Sequence, residues 1–95
     1  MVIFISGPMT GKPDYNRPAF FDAEKRLTRD GHIVWNPAHF PDGLSHEAYM
    51  QVCEAMIDRS HAIYQLPGWE ESRGARHEYG YAIATGKKII KRSEL

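Results

Sequence analysis

Apolar and polar residues follow one another along this chain in short blocks that predict strands and helices in turn. Residues 2–5 are all apolar, as in a strand that is buried on both faces of a parallel sheet. The blocks 32–35, 61–66 and 88–91 have a similar strand-like composition. The pattern therefore predicts four short strands.

Helical periodicity fills the segments between these strands. A first helix is predicted to begin near Pro18 and to stop at Gly31, and its apolar stripe consists of Phe20, Ala23 and Leu27. A second helix is predicted to follow Ser45 as its N-cap. Its apolar face is expected to consist of Tyr49, Val52, Cys53 and Met56. A third helix is predicted over 74–85 and ends at Gly86.

Strands that alternate with helices predict an α/β fold with a mostly parallel sheet of about four strands. Right-handed crossovers would place helices on both faces, in a small Rossmann-like or flavodoxin-like three-layer sandwich. We expect residues 1–95 to form one domain. Ligands bind beyond the carboxyl ends of such strands, which here are followed by the loops 6–17, 36–44 and 67–73.

The overall composition narrows the possible partners. Twelve basic and twelve acidic side chains cancel, so we expect no binding to duplex nucleic acid. The chain contains no apolar run of the roughly 20 residues that a membrane-spanning helix needs, so we expect no membrane insertion. Cys53 is the only cysteine, which excludes an internal disulfide and favours a cytoplasmic location. The five histidines lack zinc-binding spacing, so no metal site is expected.

The loop after the first predicted strand is rich in glycine. From Gly7 to Lys12 it reads G-x-x-x-G-K, which lacks one residue and the hydroxyl side chain of a P-loop, and it also lacks the dinucleotide-binding fingerprint. A standard NTPase and a Rossmann dehydrogenase are therefore excluded. Ser6, Gly7, Thr10 and Gly11 can instead hold a small polar ligand through backbone amides. The alternative is an ordinary strand-to-helix turn.

The third predicted helix carries a carboxylate, Glu78, about one turn from its start. Helical geometry places the small residues Gly74, Ala75 and Ala82 next to it, so a ligand can come close. Ser72 and Gly74 lie six and four residues before Glu78, and Ser72 can either bind a phosphate or cap the helix. The alternative interpretation of Glu78 is a carboxylate that the helix dipole stabilises.

Other residues near this helix allow two interpretations each. Arg73 and Arg76 either neutralise a phosphate or are solvated. Trp69 either stacks on a base or packs inside the protein. Cys53 lies on an apolar stripe, and we expect it in the core rather than as a nucleophile.

Two sequence motifs resemble a known family. They are ISGPMTG at residues 5–11 and GWEESRGARHEYGYAIATGK at residues 68–87. With them the chain resembles small proteins, common in phages and bacteria, of the nucleoside 2-deoxyribosyltransferase superfamily. It is similar in particular to the 2′-deoxynucleoside 5′-monophosphate N-glycosidases, which have a serine and a glycine at the positions of Ser72 and Gly74. Members that act on free nucleosides tend to have a carboxylate at the position of Ser72 instead.

The resemblance implies a reaction and a set of residues. It implies cleavage or transfer of the N-glycosidic bond of a nucleoside 5′-monophosphate, with Glu78 as the nucleophile and no cofactor. Ser72 and Gly74 would bind the phosphate, and Trp69 would face the base. The first loop would hold ribose or phosphate through Ser6, Gly7, Met9, Thr10, Gly11 and Asn16.

The chain departs from the family at the start of the third strand, where His61 replaces a common aspartate. If that aspartate protonates the leaving base, then His61 or Asp58 is the candidate acid here. The alternative is a protein that binds or sequesters a nucleotide without turning it over.

The resemblance also implies a homodimer or a larger homo-oligomer. Family members often complete the pocket from a neighbouring subunit, and a sheet of about four strands has a small core of its own. Tyr15, Trp35 and Tyr49 are the aromatic residues that we expect at such a contact.

Overall fold

The structure is a computed structural model that describes residues 1–91; the last four residues of the predicted domain lie outside the described part. The strands are β1 (Val2–Ser6), β2 (Ile33–Trp35), β3 (Ala62–Gln65) and β4 (Lys88–Ile90). The helices are α1 (Arg17–Arg29), α2 (His46–Asp58) and α3 (Arg73–Ala84). Short 3-10 turns cover Pro13–Asn16, Pro37–His39 and Trp69–Glu71.

The four strands form one parallel sheet in the order β2-β1-β3-β4. Phe4 lies between Trp35 of β2 and Ile63 of β3, and Ser6 at the end of β1 pairs with Gln65. The chain leaves β1 toward β2 on one side and later returns to β3 on the other. This reversal opens a cleft beyond the carboxyl ends of β1 and β3. The predicted α/β sandwich is confirmed.

The sheet separates two apolar cores. On one face α1 packs its stripe of Phe20, Ala23 and Leu27 against Ile3 and Ile5. On the other face α2 and α3 pack against Phe4 and Ile63 through Cys53, Met56, Ile57 and Ala82. Alternate residues of β1 therefore point into different cores, which explains its unbroken apolar sequence.

Local signals in the sequence set the helix ends. The Ser45 hydroxyl accepts a hydrogen bond from the backbone N–H of Ala48 at 3.1 Å, which caps α2 as predicted. Gly31 and Gly86 follow α1 and α3 with positive φ angles of 91° and 76°, which glycine adopts without strain. One expectation is wrong: Val52 is exposed, because it lies at the margin of the inner stripe of α2. Within residues 1–91, no helix is both long and apolar enough to cross a bilayer.

Candidate active site

Three loops at the carboxyl edge of the sheet surround a cavity of about 300 Å³. They follow β1, β2 and β3, and the first turns of α2 and α3 complete the wall. Six of the predicted site residues line this cavity: Gly7, Met9, Thr10, Ser72, Gly74 and Glu78. The glycine-bearing first loop and the start of α3 therefore face the same space.

Glu78 is a buried carboxylate at the bottom of this cavity. Only 4% of the residue is exposed. Its Oε1 accepts a hydrogen bond of 2.7 Å from the hydroxyl of Ser6, which lies at the end of β1 and is itself fully buried. Helix α3 thus presents Glu78 inward, toward the carboxyl end of β1.

Burial changes the acidity of Glu78. Burial raises the pKa of Glu78 to about 7, and the Ser6 hydroxyl, the Cys53 thiol and the nearby His77 partly offset this rise. The carboxyl group is therefore partly protonated at neutral pH and becomes an anion above it. A carboxyl group with such a raised pKa beside a cleft is typical of functional sites.

The N-terminus of α3 supplies hydrogen-bond donors next to Glu78. The Ser72 hydroxyl accepts a bond from the N–H of Ala75 at 3.2 Å, and its own hydrogen is free to donate toward the cavity. A Cβ placed on Gly74 would lie 3.7 Å from the sulfur of Met50, at van der Waals contact. The glycine therefore leaves the space beside Met50 open. The N–H groups of the first helical turn lack intrahelical acceptors. Ser72 is thus both a helix cap and a cavity residue.

Three predicted ligand contacts lie elsewhere. Trp69 stacks on Tyr79 with ring centroids 4.8 Å apart, and it does not line the cavity with Glu78. Arg73 and Arg76 are exposed outside the cavity, where Arg76 donates to the carbonyl of Glu70 at 3.4 Å. Their positions fit the packing and solvated alternatives rather than contact with a ligand in this cavity.

Two residues of the first loop stabilise it rather than line the cavity. Asn16 donates from Nδ2 to the carbonyl of Pro8 at 2.9 Å. Gly11 has a φ of 81° and open space around its Cβ position. Asn16 and the two residues before it also have left-handed backbones, with φ between 51° and 61°. The structure therefore gives Asn16 and Gly11 a role in the shape of the loop.

The two candidate acids lie at the opposite edge of the sheet. Asp58 ends α2, and its carboxylate accepts a bond of 2.6 Å from the Tyr81 hydroxyl. His61 precedes β3, and its Nδ1 accepts a bond of 2.9 Å from the N–H of Val2. Helix α2 runs from the carboxyl edge back to the amino edge, and neither Asp58 nor His61 lines the cavity with Glu78. The structure does not bring them together.

The mouth of the cavity contains residues that the sequence did not reveal as a group. Arg17, at the start of α1, contacts Asp14 at 3.1 Å and also pairs with Asp42 in the loop after β2. Its guanidinium lies 5.1 Å from the centre of the Tyr15 ring. The sequence indicated only that loop 36–44 follows a predicted strand and therefore lies at the carboxyl edge of the sheet, with the other two loops.

Tyr49 also lies in the cavity wall. Its hydroxyl donates to the sulfur of Met9 at 3.1 Å, and its ring meets Phe40 edge-to-face with centroids 5.8 Å apart. Tyr15 lines the same cavity, whereas Trp35 is on the edge strand β2 and is 40% exposed. Two of the three aromatic residues expected at a subunit contact thus face the cavity of their own chain.

The polar groups of this cavity are arranged around the carboxyl group of Glu78. Among residues 1–91, no three His, Cys, Asp or Glu side chains come close enough together to hold a metal ion. The cavity combines one buried carboxyl group, the donors of a helix N-terminus, and a wall of aromatic and sulfur-containing side chains. Such a cavity can hold an anionic group beside a nucleophilic carboxylate.

A solved structure has a similar fold. The chain is similar to a 2-desoxiribosyltransferase from Leishmania mexicana, with a TM-score of 0.75 and 21% sequence identity. The match covers 95% of this chain and 62% of that chain, so our chain spans about three fifths of its length. Residues 1–91 match the family described as domain of unknown function (DUF4406), and the chain belongs to that family. No curated protein matches it.

Proposed function

We propose that this protein breaks the N-glycosidic bond of a nucleoside 5′-monophosphate, with Glu78 as the nucleophile, and passes the sugar to water or to another base. The observation that carries this proposal is the buried carboxyl group of Glu78 beside the open donors at the start of α3. The similarity in fold to a 2-desoxiribosyltransferase supports the class of reaction.

In this proposal the phosphate binds at the N-terminus of α3. The Ser72 hydroxyl and the N–H of Gly74 donate hydrogen bonds to it, and the helix dipole favours its negative charge. A carboxylate in place of Ser72 would repel a phosphate, whereas a hydroxyl does not. The base then extends away from α3 toward Tyr49 and Phe40, whose rings offer an apolar surface.

The reaction proceeds through a covalent intermediate. An oxygen of ionised Glu78 attacks C1′, and the departing base takes the electron pair of the broken C–N bond and a proton from water. Water or a second base then attacks C1′ and releases Glu78 as a carboxylate, as in a retaining glycosidase. The transition state has oxocarbenium character, which the adjacent negative charge stabilises.

Chromatography of free base tests this proposal. Wild-type protein and Glu78→Gln are incubated with ribo- and deoxyribonucleoside 5′-monophosphates and with the matching nucleosides. We expect base release from at least one monophosphate, little from its nucleoside, and none with the variant. Glu71→Gln, an exposed carboxylate of the 3-10 turn before α3, is the control and should keep full activity. Equal release by Glu78→Gln would refute the mechanism.

A second candidate function is nucleotide binding without turnover. It is favoured by the location of Asp58 and His61 at the far edge, which leaves the leaving base without either predicted acid. Calorimetric titration with the same monophosphates separates the two functions. Binding without any base release would support the second candidate.

A further inference from the structure

The proposed reaction has one step without a protein group, because the departing base takes its proton from water. We propose that His46 is the general acid of this reaction: its imidazolium gives the departing base a proton, and its neutral ring then takes one from the attacking water or second base. This role rests on the proposed function, and the experiments distinguish its failure from the failure of that function.

His46 differs from the other histidines of the chain, which number five in all. Four rings have hydrogen-bond partners elsewhere in the fold, and they belong to His32, His39, His61 and His77. Within residues 1–91, the ring of His46 has no such partner. His46 is also the histidine that lines the cavity with Glu78. Its ring nitrogens are therefore available to a ligand in that cavity.

The first turn of α2 places His46 beside Tyr49. His46 is the first residue of the helix, and the Ser45 cap holds that turn through the N–H of Ala48. Residues three and four positions apart lie next to each other on a helix, so His46 shares a face with Tyr49 and Met50. All three residues line the cavity. This face of α2 therefore presents an imidazole one turn away from the Tyr49 ring.

This position is on the base side of the cavity. In the proposed function the base lies against Tyr49 and Phe40, whose ring centroids are 5.8 Å apart. The phosphate lies at the other end, beside Ser72 and Gly74 of α3. A general acid must come within hydrogen-bond reach of the group that it protonates. A substrate bound in this direction brings its base, and not its phosphate, to His46.

The other titratable groups of the cavity do not fit this role. Among the described residues, the titratable side chains of the wall are Tyr15, Arg17, Asp42, His46, Tyr49 and Glu78. Phenols and guanidinium groups release protons only well above neutral pH, and burial raises the pKa of Tyr49 further. Asp42 accepts from the Arg17 guanidinium, and Glu78 acts in its ionised form. Imidazole changes its protonation between about pH 5 and 8, which favours His46.

The proton transfers balance in both halves of the reaction. First, an oxygen of Glu78 forms a bond to C1′ while the C1′–N bond breaks; the electron pair stays on the base, which accepts the proton of His46. Then water attacks C1′ and gives a proton to the neutral ring of His46, while the bond between C1′ and Glu78 breaks. His46 is exposed, so its ring also exchanges protons with solvent.

An exposed histidine in a first helical turn can also be an ordinary surface residue, and two variants separate these roles. His46→Gln removes the acid but keeps a polar side chain. His39→Gln is the matched control, because His39 is also exposed, follows β2 at the same edge of the sheet, bonds to Glu24 at 2.8 Å and does not line the cavity.

The measurement is the rate of base release from two substrates. One is the nucleoside 5′-monophosphate that the wild-type protein cleaves fastest. The other is its analogue with a base that leaves without a proton: 7-methylguanine, which is already cationic, in place of a purine, or 5-nitrouracil in place of a pyrimidine. The wild-type protein, His46→Gln and His39→Gln are compared on both.

We expect His46→Gln to release the ordinary base about a hundredfold more slowly than the wild type, since that base needs a proton to leave. The same variant should release the base of the analogue within about threefold of the wild-type rate. His39→Gln should match the wild type on both substrates. In a Glu78→Gln background, which keeps the ligand intact, calorimetric titration should give the same Kd with and without His46→Gln.

Two results would overturn the role of His46 while the proposed function stands. One is an unchanged rate of His46→Gln with the ordinary base. The other is an equal loss with both substrates, which would indicate a damaged cavity rather than a missing acid. If the wild-type protein releases base from neither substrate, the proposed function itself fails, and the role of His46 as an acid fails with it.

Discussion

The two edges of the sheet carry similar side chains in opposite settings. At the carboxyl edge, Ser6 and Glu78 are buried and bonded to each other, and Glu78 lines the cavity. At the amino edge, Asp58 and His61 are exposed and bond to neighbouring groups. Exposed polar side chains with hydrogen-bond partners need no further explanation, whereas a buried carboxyl group beside a cavity costs stability. The difference assigns the candidate chemistry to the carboxyl edge.

The largest expected effect separates the two edges directly. Glu78→Gln should lower base release by at least about a thousandfold, because it removes the nucleophile and leaves the phosphate site. Asp58→Asn and His61→Gln should change base release less than about threefold, since both side chains are remote. Steady-state rates of the three variants, with the fold checked by circular dichroism, make the comparison. Comparable losses at both edges would contradict it.

The second effect concerns stability and pH. The pKa of Glu78 is raised from an ordinary value of 4.5 to about 7 in the folded state, so the fold favours the protonated form. The contribution of Glu78 to the free energy of unfolding is therefore fully present below about pH 4.5, and it is lost as the pH rises through about 7. Above that range Glu78→Gln should be more stable than wild type by about 3 kcal/mol, an order-of-magnitude value.

Urea unfolding at pH 5 and at pH 8.5 measures this difference. The advantage of the glutamine variant should grow between the two values, because glutamine keeps an acceptor for Ser6 but carries no charge. Glu71→Gln, on the surface, should show no comparable growth. A constant difference at both pH values would mean that the carboxyl group of Glu78 is not desolvated.

A third effect compares two helix caps. Ser72→Ala and Ser45→Ala each remove a cap hydroxyl and should each lower the free energy of unfolding by about 1 kcal/mol. Only Ser72→Ala should also weaken binding of a nucleoside monophosphate, by about fivefold to tenfold, because Ser72 lines the cavity beside Glu78. Thermal unfolding and calorimetric titration give both values. Equal weakening by the two variants would remove Ser72 from the phosphate site.

The smallest effect concerns the mouth of the cavity. Asp42 and Asp14 both contact Arg17, but only Asp42 belongs to the loop after β2. Asp42→Asn should increase hydrogen exchange of the backbone amides in residues 40–44, whereas Asp14→Asn should not. Mass-spectrometric exchange at low salt measures this. The same protection in both variants would show that the ion pair does not hold the loop.

The sequence predicted the fold closely because the local signals agree with the tertiary structure. The four short blocks predicted as strands are the four strands of the sheet, and Ser45 and Ser72 are the N-caps of α2 and α3. The small residues at helical spacing around Glu78 predicted that a ligand could come close to it, and Glu78 does line the cavity together with Gly74 and Ala75. In each of these cases the interacting residues lie only a few positions apart in the sequence.

The remaining features depend on contacts between distant segments. The contact of Ser6 with Glu78 spans 72 positions in the sequence, and the pair of Arg17 with Asp42 spans 25. Asp58 lies away from both of these contacts, because the 13 residues of α2 place it at the amino edge of the sheet. Spacing alone could not show which edge each side chain faces. Cys53 is buried in the core, as its place on an apolar stripe predicted.

The most direct test of the central claim is to trap the sugar on the protein. A 2′-fluoro-substituted nucleoside 5′-monophosphate slows breakdown of a glycosyl ester because fluorine destabilises the oxocarbenium-like transition state. After incubation, intact-protein and peptide mass spectrometry should show one added sugar phosphate, located on Glu78. Base release without any adduct on Glu78, or with an adduct on a different residue, would contradict the account.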